Sequence, residues 1–223
     1  MTQATSCPLC LGREHLLFHQ DNNKRSQREY LQCKQCYLVF VPCQYYLTSA
    51  MEKAEYDKHE NDTNDAGYER FLNRLWSELR PRLPLEAASQ KVLDFGCGPG
   101  PLLAKMMSED GFDVKVYDHF YAPDQSVLQP SHYDVITSTE VIEHLHEPKQ
   151  VFEQWLSWLK PQGYLGLMTK LVTKQSAFAN WHYKNDLTHV CFFSEECFNW
   201  LARTYALELS IIGKDVIIFK KLA

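Results

Sequence analysis

The chain has 223 residues, of which 45% are hydrophobic and 13% aromatic, enough for a buried core in one ordinary domain with a small additional module. Its net charge of −5 argues against indiscriminate binding to nucleic acids. No long apolar run occurs and no basic region precedes an apolar one at the N-terminus, so we expect a cytoplasmic protein with neither a membrane span nor a secretory signal.

The N-terminal segment, residues 1–43, carries two Cys-x-x-Cys pairs formed by Cys7, Cys10, Cys33 and Cys36. In a reducing compartment such pairs are metal ligands or redox centres rather than structural disulfides. Two pairs supply the four thiolates of a closed tetrahedral zinc site, whereas a redox centre needs only one pair. The residues between the pairs predict two short strands around a polar turn at 21–26. The segment is therefore predicted to be a zinc ribbon that depends on its metal for stability.

Residues 44–90 are predicted to form a helical connecting segment. Apolar residues from Tyr68 to Leu79 recur at helical spacing. Pro81 and Pro84 end this helix, which we expect to pack on the following domain.

From residue 91 to 223 the pattern alternates between strand and helix. Strands are predicted at 91–95, 112–118, 133–139 and 164–169, helices at 101–111, 148–163 and 194–205, and two final strands on either side of Gly213 and Lys214. Such alternation is typical of an α/β, Rossmann-like, doubly wound and mostly parallel sheet. The final pair predicts an antiparallel hairpin at one edge of that sheet.

A glycine-rich loop, Gly96-Cys-Gly-Pro-Gly100, directly follows the first strand of this domain. Ligands of such sheets bind at the first strand-to-helix turn. A dinucleotide motif would need glycine where Pro101 stands, and the phosphate-loop motif is absent. Asp94 precedes the glycines and Asp118 follows the next strand, where a carboxylate can accept hydrogen bonds from ribose hydroxyls. The pattern favours a nucleoside ligand without pyrophosphate, approached closely by the backbone of the three glycines.

The motifs "VLDFGCGPG", "VYD", "YDVITSTEVIEHLHEP" and "WLSWLKPQGYLGLMT" resemble those of class I S-adenosylmethionine-dependent methyltransferases, and "CPLC…CKQC" extends the resemblance to members with an N-terminal zinc ribbon. The resemblance implies that S-adenosylmethionine is the cofactor, that Asp118 holds its ribose, and that Asp94, Gly96, Gly98 and Gly100 line it. The short segment between Asp118 and Tyr133 departs from the family pattern, which usually has a third strand there. His119, Asp124 and Ser126 are candidates for the adenine contact, and His119 is counted among the cofactor-binding residues.

The candidate acceptor residues are Glu140, Glu143, His144 and His189. The first three are spaced so that one helical turn would present them on one face. Two interpretations stay open. The residues hold a divalent metal ion, as in the small-RNA terminal 2′-O-methyltransferases that this chain resembles in "EVIEH" and in a later histidine before an aromatic pair. Alternatively, and in preference, no metal binds and a histidine acts as general base with a pKa near about 6.5 before any shift.

The sequence thus predicts a methyltransferase whose acceptor is an RNA or a small hydroxylated or amine metabolite. The slightly basic N-terminal module favours RNA, whereas zinc modules also precede methyltransferases that act on sugars. The alternative is a non-catalytic binding protein that retains the cofactor fold and uses the zinc ribbon as its contact surface. Neither a membrane nor an obligate protein partner is expected.

Overall fold

The computed structural model shows two compact units and describes residues 5–22, 26–58, 65–84 and 90–222. Unit 1 combines residues 1–58, 142–152 and 170–205, and unit 2 combines residues 59–141, 153–169 and 206–223. Parts of the predicted turn at 21–26 and of the predicted connecting segment at 44–90 lie outside the described residues. The domain boundaries expected at 43/44 and 90/91 stay predictions.

Strands and α-helices are found along the whole described chain. In chain order, the strands are β1 (His15–Gln20), β2 (Glu29–Cys33), β3 (Val39–Phe40), β4 (Lys91–Phe95), β5 (Asp113–Tyr117), β6 (Tyr133–Thr139), β7 (Leu159–Met168), β8 (Cys191–Phe192), β9 (Leu207–Ile212) and β10 (Val216–Lys221). The α-helices are α1 (Ser49–Tyr56), α2 (Ala66–Leu79), α3 (Leu102–Glu109), α4 (Pro148–Trp158), α5 (Gln175–Phe178) and α6 (Glu195–Thr204).

Unit 2 is built on a six-stranded sheet in the order β5-β4-β6-β7-β10-β9. Strands β4 to β7 pair in parallel, and β10 pairs antiparallel with β7 and β9. The Rossmann-like α/β fold and its antiparallel terminal hairpin are therefore confirmed. Helix α2 packs its buried side chains, Leu72 and Leu75 among them, into the same apolar core as Val92 of the sheet. Every residue between Asp118 and Tyr133 is described, and this segment holds a 3-10 turn at Gln125–Val127 but no strand.

Two local predictions are wrong. The helix expected over 148–163 ends at Trp158, and residues 159–163 belong to β7. Pro161 explains this, because its ring clashes with a preceding carbonyl in a helix and disfavours helical backbone at the residue before it. The helical turn expected from Glu140 onward covers only Ile142–His144, since Glu140 has a left-handed backbone with φ of 53°. Glu140 therefore does not share a helical face with Glu143 and His144.

Unit 1 contains a four-stranded antiparallel sheet in the order β1-β2-β3-β8. The two strands predicted around the polar turn are confirmed as β1 and β2. The sheet is completed from far along the chain, because Val39 of β3 pairs with Phe192 of β8. The Ser194 hydroxyl caps α6 by accepting a hydrogen bond from the Cys197 N–H at 3.2 Å. None of the helices in the described ranges has the length and apolar character that crossing a membrane requires.

Candidate functional site

The glycine loop in unit 2 has a backbone that few residues other than glycine adopt. Gly96 has φ of 76° and Gly98 has φ of 65°, both in the left-handed region. The Gly96 N–H donates to the Tyr117 carbonyl oxygen at 2.7 Å, which ties the loop to the end of β5. A Cβ atom at position 96 would lie 2.3 Å from Val141 Cγ2. The tight turn and the contact with Val141 together require glycine at position 96.

The Asp118 carboxylate orients the glycine loop. Its Oδ2 accepts from the Gly98 N–H at 2.9 Å, and its Oδ1 accepts from the N–H groups of Phe120 and Tyr121 at 2.8 and 3.1 Å. A carboxylate oxygen has two lone pairs, so the carboxylate retains capacity for a ligand hydroxyl at Oδ2. His119, a candidate for the adenine contact, is exposed and makes an edge contact with Phe120.

Asp94 is a buried carboxyl beside this loop. Burial raises the pKa of Asp94 to about 6, the negative charge of Asp118 adds to the rise, and the Thr137 hydroxyl opposes it by donating to Asp94 Oδ1 at 2.8 Å. A buried carboxylate that is costly to ionise favours a positively charged ligand. The loop backbone and its two carboxylates fit S-adenosylmethionine, which presents ribose hydroxyls and cationic groups.

The four N-terminal cysteines, Cys7, Cys10, Cys33 and Cys36, form a compact cluster in unit 1 with all Sγ atoms within 4.8 Å of one another. The Sγ atoms of Cys7 and Cys36 are 3.4 Å apart, as are those of Cys10 and Cys33. Tetrahedral zinc with bonds of about 2.3 Å separates its sulfur ligands by about 3.8 Å, so a small expansion would accommodate the ion. The chemistry of this donor set fits structural zinc.

Backbone groups and the thiol pKa values support that fit. The N–H groups of Gly12 and Gln35 donate to the Sγ atoms of Cys10 and Cys33, each at 3.4 Å. Burial raises the pKa of Cys10 to about 12. The hydrogen bond with the Cys36 thiol, together with burial, raises the pKa of Cys7. Without a cation these two thiols therefore resist ionisation, and a bound cation would reverse this by stabilising the thiolates.

A second cluster in unit 1 consists of Glu143, His144 and His189, whose ligand atoms all lie within 4.8 Å of one another. Glu143 and His189 are buried, and the rings of His144 and His189 have centroids 4.6 Å apart. Three of the four predicted acceptor residues are thus brought together. The fourth, Glu140, belongs to unit 2, where its N–H donates to the Met168 carbonyl oxygen at 2.8 Å.

Hydrogen bonds determine which nitrogen of each histidine carries the proton. His189 Nδ1 lies 2.6 Å from the Tyr183 carbonyl oxygen, which can only accept, so His189 Nδ1 donates. The Thr188 hydroxyl donates to Asp186 Oδ1 at 2.6 Å, so it accepts from His144 Nδ1 at 2.9 Å. When neutral, both rings therefore carry the lone pair on Nε2. This is the arrangement of imidazoles that bind metals or accept protons.

The surroundings of the cluster also determine the charge of His189. Burial lowers the pKa of His189 to about 4, although the Asp186 carboxylate opposes the change. His189 is therefore neutral at neutral pH, as a metal ligand must be. If His189 were a general base, the pH at which activity reaches half of its maximum would move from about 6.5 down to about 4. The Tyr183 hydroxyl donates to Glu143 Oε1 and helps to hold this carboxylate.

Sequence reasoning missed several supporting residues. Thr137 and Thr188 act only through the carboxylates and imidazoles beside them, and no local motif identifies them. Asp186 offered a weak signal, because its Oδ1 accepts from the Thr188 N–H at 2.9 Å in the side-chain turn typical of Asp-x-Thr. Tyr183 contacts both Glu143 and His189.

Comparisons with known proteins agree with this geometry. A family model described as a methyltransferase domain matches residues 68–210, more than half of the chain. The ubiquinone biosynthesis O-methyltransferases of Yersinia pestis (strain Pestoides F) and Yersinia pseudotuberculosis serotype O:1b are each 31% identical over 103 residues, which cover 36% of this chain and 42% of theirs. The chain therefore spans about two-fifths of the length of these curated relatives.

Solved structures show the same fold. The 1,6-didemethyltoxoflavin-N1-methyltransferase of Burkholderia thailandensis, with bound 1,6-didemethyltoxoflavin and S-adenosylhomocysteine, is 15% identical with a TM-score of 0.55 and covers 92% of this chain and 100% of that one. An O-methyltransferase family protein from the same organism has 13% identity and a TM-score of 0.50, covering 77% of this chain and 63% of that one. At these identities the likeness concerns the fold alone.

Proposed function

The chain belongs to the methyltransferase-domain family and contains an S-adenosylmethionine-dependent methyltransferase domain, and we propose that it methylates a hydroxyl group bound through a divalent metal ion at Glu143, His144 and His189. One observation carries this proposal. The buried Glu143 carboxylate and the rings of His144 and His189 offer ligand atoms that lie within 4.8 Å of one another, and Nδ1 of each ring makes a hydrogen bond.

The cofactor roles follow from the glycine loop. Gly96 and Gly98 have a left-handed backbone and, like Gly100 in the bend that follows, present no side chain to the ligand. Asp118 holds the Gly98 N–H and accepts from the ribose hydroxyls. Asp94 faces the cationic part of the cofactor, and the positive charge of the bound cofactor offsets the free energy that ionising the buried Asp94 carboxyl costs. The sulfonium is already activated, so the protein contributes mainly alignment.

The acceptor roles follow from the second cluster. A bound divalent ion would lower the pKa of a coordinated hydroxyl and so make its oxygen a better nucleophile. Glu143 supplies negative charge, and the two histidines supply neutral nitrogen ligands. Asp186 and Thr188 hold the His144 ring, while the Tyr183 carbonyl holds the His189 ring. Such outer partners typically determine metal affinity as much as the ligands do.

A zinc ion at Cys7, Cys10, Cys33 and Cys36 is the second metal of the proposal. Its role is structural, because four cysteines complete the tetrahedron and leave no position for a substrate. The exposed His119 is a weaker element of the cofactor site than the sequence implied, and adenine recognition by it stays a prediction.

The acceptor class is proposed from chemistry beside the cluster. The two curated relatives at 31% identity are named as O-methyltransferases, which favours oxygen as the methylated atom. Lys170 Nζ lies 3.2 Å from His182 Nε2 and 5.1 Å from the Tyr183 ring centroid. This cation and the ring of Tyr183, whose hydroxyl donates to Glu143, suit a hydroxylated small molecule or an RNA end that carries negative charge.

The test begins with protein whose zinc content is verified and whose weakly held ions have been removed by brief chelation and desalting. Manganese is then titrated and followed by electron paramagnetic resonance. We expect one added site, lost in Glu143→Gln and in His189→Gln and retained in the matched variant His132→Gln. Wild-type protein that binds no manganese would contradict the metal proposal.

Activity separates the remaining alternatives. Methyl transfer from labelled S-adenosylmethionine to hydroxylated acceptors should need the added divalent ion. If a histidine is instead a general base, activity survives chelation and follows a pH limb that disappears in the variant of that histidine. A non-catalytic scaffold would bind no S-adenosylmethionine at micromolar levels in calorimetry.

A further inference from the structure

The segment from Lys184 to His189 has little regular structure, yet it carries one of the three acceptor ligands. A 3-10 turn ends at Asn185, and β8 begins only at Cys191. Main-chain carbonyls that are buried in such a segment need hydrogen-bond donors. The supply of these donors decides how firmly His189 is held.

The Arg28 side chain, in the N-terminal hairpin, supplies several of these donors, beside the Tyr30 hydroxyl at the Lys184 carbonyl and the His189 N–H at the Asp186 carbonyl. Arg28 immediately precedes β2, and only 4% of its surface is exposed. Its guanidinium donates to four main-chain carbonyl oxygens, at 2.7, 3.1, 2.9 and 3.3 Å, which belong to Lys184, Asp186, Leu187 and His189. Planar guanidinium groups are suited to such multiple contacts, because their five donors have a fixed geometry.

A buried ion pair reinforces this connection. Lys184 Nζ lies 2.6 Å from Asp21 Oδ1, and both side chains are almost fully buried. The Tyr30 hydroxyl accepts from Arg28 at 3.1 Å and donates to Asp21 Oδ2 at 3.1 Å. Asp21, Arg28, Tyr30 and Lys184 therefore form one network, which joins the hairpin to the segment that carries His189.

Tyr183, the residue before this segment, orients the acceptor cluster. The Tyr183 carbonyl fixes the proton on His189 Nδ1, and the Tyr183 hydroxyl donates to Glu143. Arg28 holds the carbonyls on both sides of this region, including that of His189 itself. A shift of the 184–189 backbone would move the His189 ring and the Tyr183 partner of Glu143 together.

We propose that Arg28 is a positioning residue for the acceptor site, and that the N-terminal hairpin acts through it as a working part of that site. This inference rests on the proposed function for the claim that His189 binds the acceptor's metal ion. It assigns the cysteine ribbon a role beyond stability, because the hairpin that the cysteines close also presents Arg28. In this proposal Arg28 acts through the backbone that it holds and not by contact with substrate or metal.

The experiment compares Arg28→Gln and Arg28→Lys with Arg13→Gln, a change at an exposed arginine of the same ribbon. Long-range proton–nitrogen spectra of protein labelled with ¹⁵N-histidine report the tautomer of each ring, and His189→Gln assigns the His189 signal. We expect the Nδ1–H tautomer in wild type and in Arg13→Gln. Arg28→Gln should show a mixture of tautomers, and Arg28→Lys should be intermediate because lysine reaches fewer of the four carbonyls.

Manganese affinity provides the second measurement. Arg28→Gln should weaken manganese binding by about 10–100-fold, as is typical for residues that orient metal ligands. Zinc content and the dissociation constant for S-adenosylmethionine should not change. A merely structural role would lower the melting temperature and leave both the tautomer and the affinity unchanged below it.

The outcomes separate this inference from the function on which it rests. If wild-type protein binds no manganese, the metal proposal fails, and the His189 tautomer still decides whether Arg28 positions the ring. If Arg28→Gln does not fold, Arg28→Lys must show the altered tautomer. A wild-type His189 tautomer in a folded Arg28 variant overturns the proposal.

Discussion

Val141 occupies the space into which any side chain at Gly96 would project, since a Cβ atom there would lie 2.3 Å from Val141 Cγ2. From the sequence alone, glycine at position 96 is explained by close approach of the cofactor to the backbone. The structure adds a cause within the protein, because the contact is made by a residue that follows β6. The φ of 76° at Gly96 is a further obstacle to other residues.

We therefore expect Gly96→Ala to lower both stability and cofactor affinity, and Val141→Ala to restore part of the loss. About 1–2 kcal/mol should remain unrecovered, because the left-handed backbone disfavours alanine whatever the space. Denaturant unfolding and calorimetry with S-adenosylmethionine on both single variants and the double variant measure the coupling. Strictly additive effects would show that the Val141 contact is relieved in solution.

Asp118→Ala should weaken S-adenosylmethionine binding by about 1.5–3 kcal/mol, the range for hydrogen bonds to charged groups. The carboxylate has two tasks, since it holds the Gly98 N–H and is proposed to accept from the ribose. Asp118→Asn keeps one acceptor oxygen and should lose less affinity. The control is Asp113→Asn, an exposed aspartate at the other end of β5. An unchanged dissociation constant in Asp118→Ala would show that the ribose is bound elsewhere.

Purified protein should contain one zinc ion per chain. Cys33→Ser should release the ion and unfold the N-terminal hairpin, because four thiolates are needed to close the site. Cys43→Ser is the matched control, since Cys43 is exposed and lies outside the cluster. Elemental analysis and hydrogen exchange of the hairpin amides give the two readouts. A hairpin that stays protected from exchange without metal would contradict the prediction.

The features that could be predicted are those that a short stretch of the sequence indicates by itself. The spacing of Cys7 and Cys10 was enough to predict a metal-binding pair, and the glycines after Asp94 were enough to predict the turn that binds the cofactor. The four cysteines do converge, and the predicted sheet is present. Periodicity also located α2 correctly, because the apolar face of that helix is buried from Leu72 to Leu79.

The features that sequence could not provide join residues far apart in the chain. Arg28 and Lys184 are separated by 156 positions, and neither has a neighbour that indicates a hydrogen bond between them. The left-handed backbone at Glu140 was equally hidden, since a non-glycine residue rarely adopts it and nothing beside it requires a turn. Tertiary contacts alone determine both.

The buried His189 should make the free energy of unfolding depend on pH. Its folded pKa of about 4 lies below the unfolded value of about 6.5, so the unfolded chain binds a proton first as pH falls. The stabilisation is present above about 6.5, declines as pH falls, and is lost near 4, a total of about 3 kcal/mol. Subtracting the values for His189→Gln at each pH isolates this contribution. A difference that stays constant from pH 7 to 4 would contradict the lowered pKa.

Asp94 should make cofactor binding depend on pH. Burial raises its pKa to about 6, so the carboxyl is largely protonated below that pH in the free protein and ionised above it. A cationic ligand favours the ionised form, because it supplies the charge that burial withholds. Affinity for S-adenosylmethionine should therefore be highest above pH 6 and fall by up to about tenfold for each pH unit below it.

Calorimetry between pH 5 and 7 measures this dependence in a window where Asp94 is the group of the loop expected to titrate. Asp94→Asn should bind weakly at every pH, because the amide keeps an acceptor for the Thr137 hydroxyl but carries no charge. The control Asp113→Asn should keep the wild-type profile. A flat wild-type profile would show that the Asp94 carboxylate does not face the cationic part of the cofactor, and its role would then be limited to holding Thr137 and the start of the glycine loop.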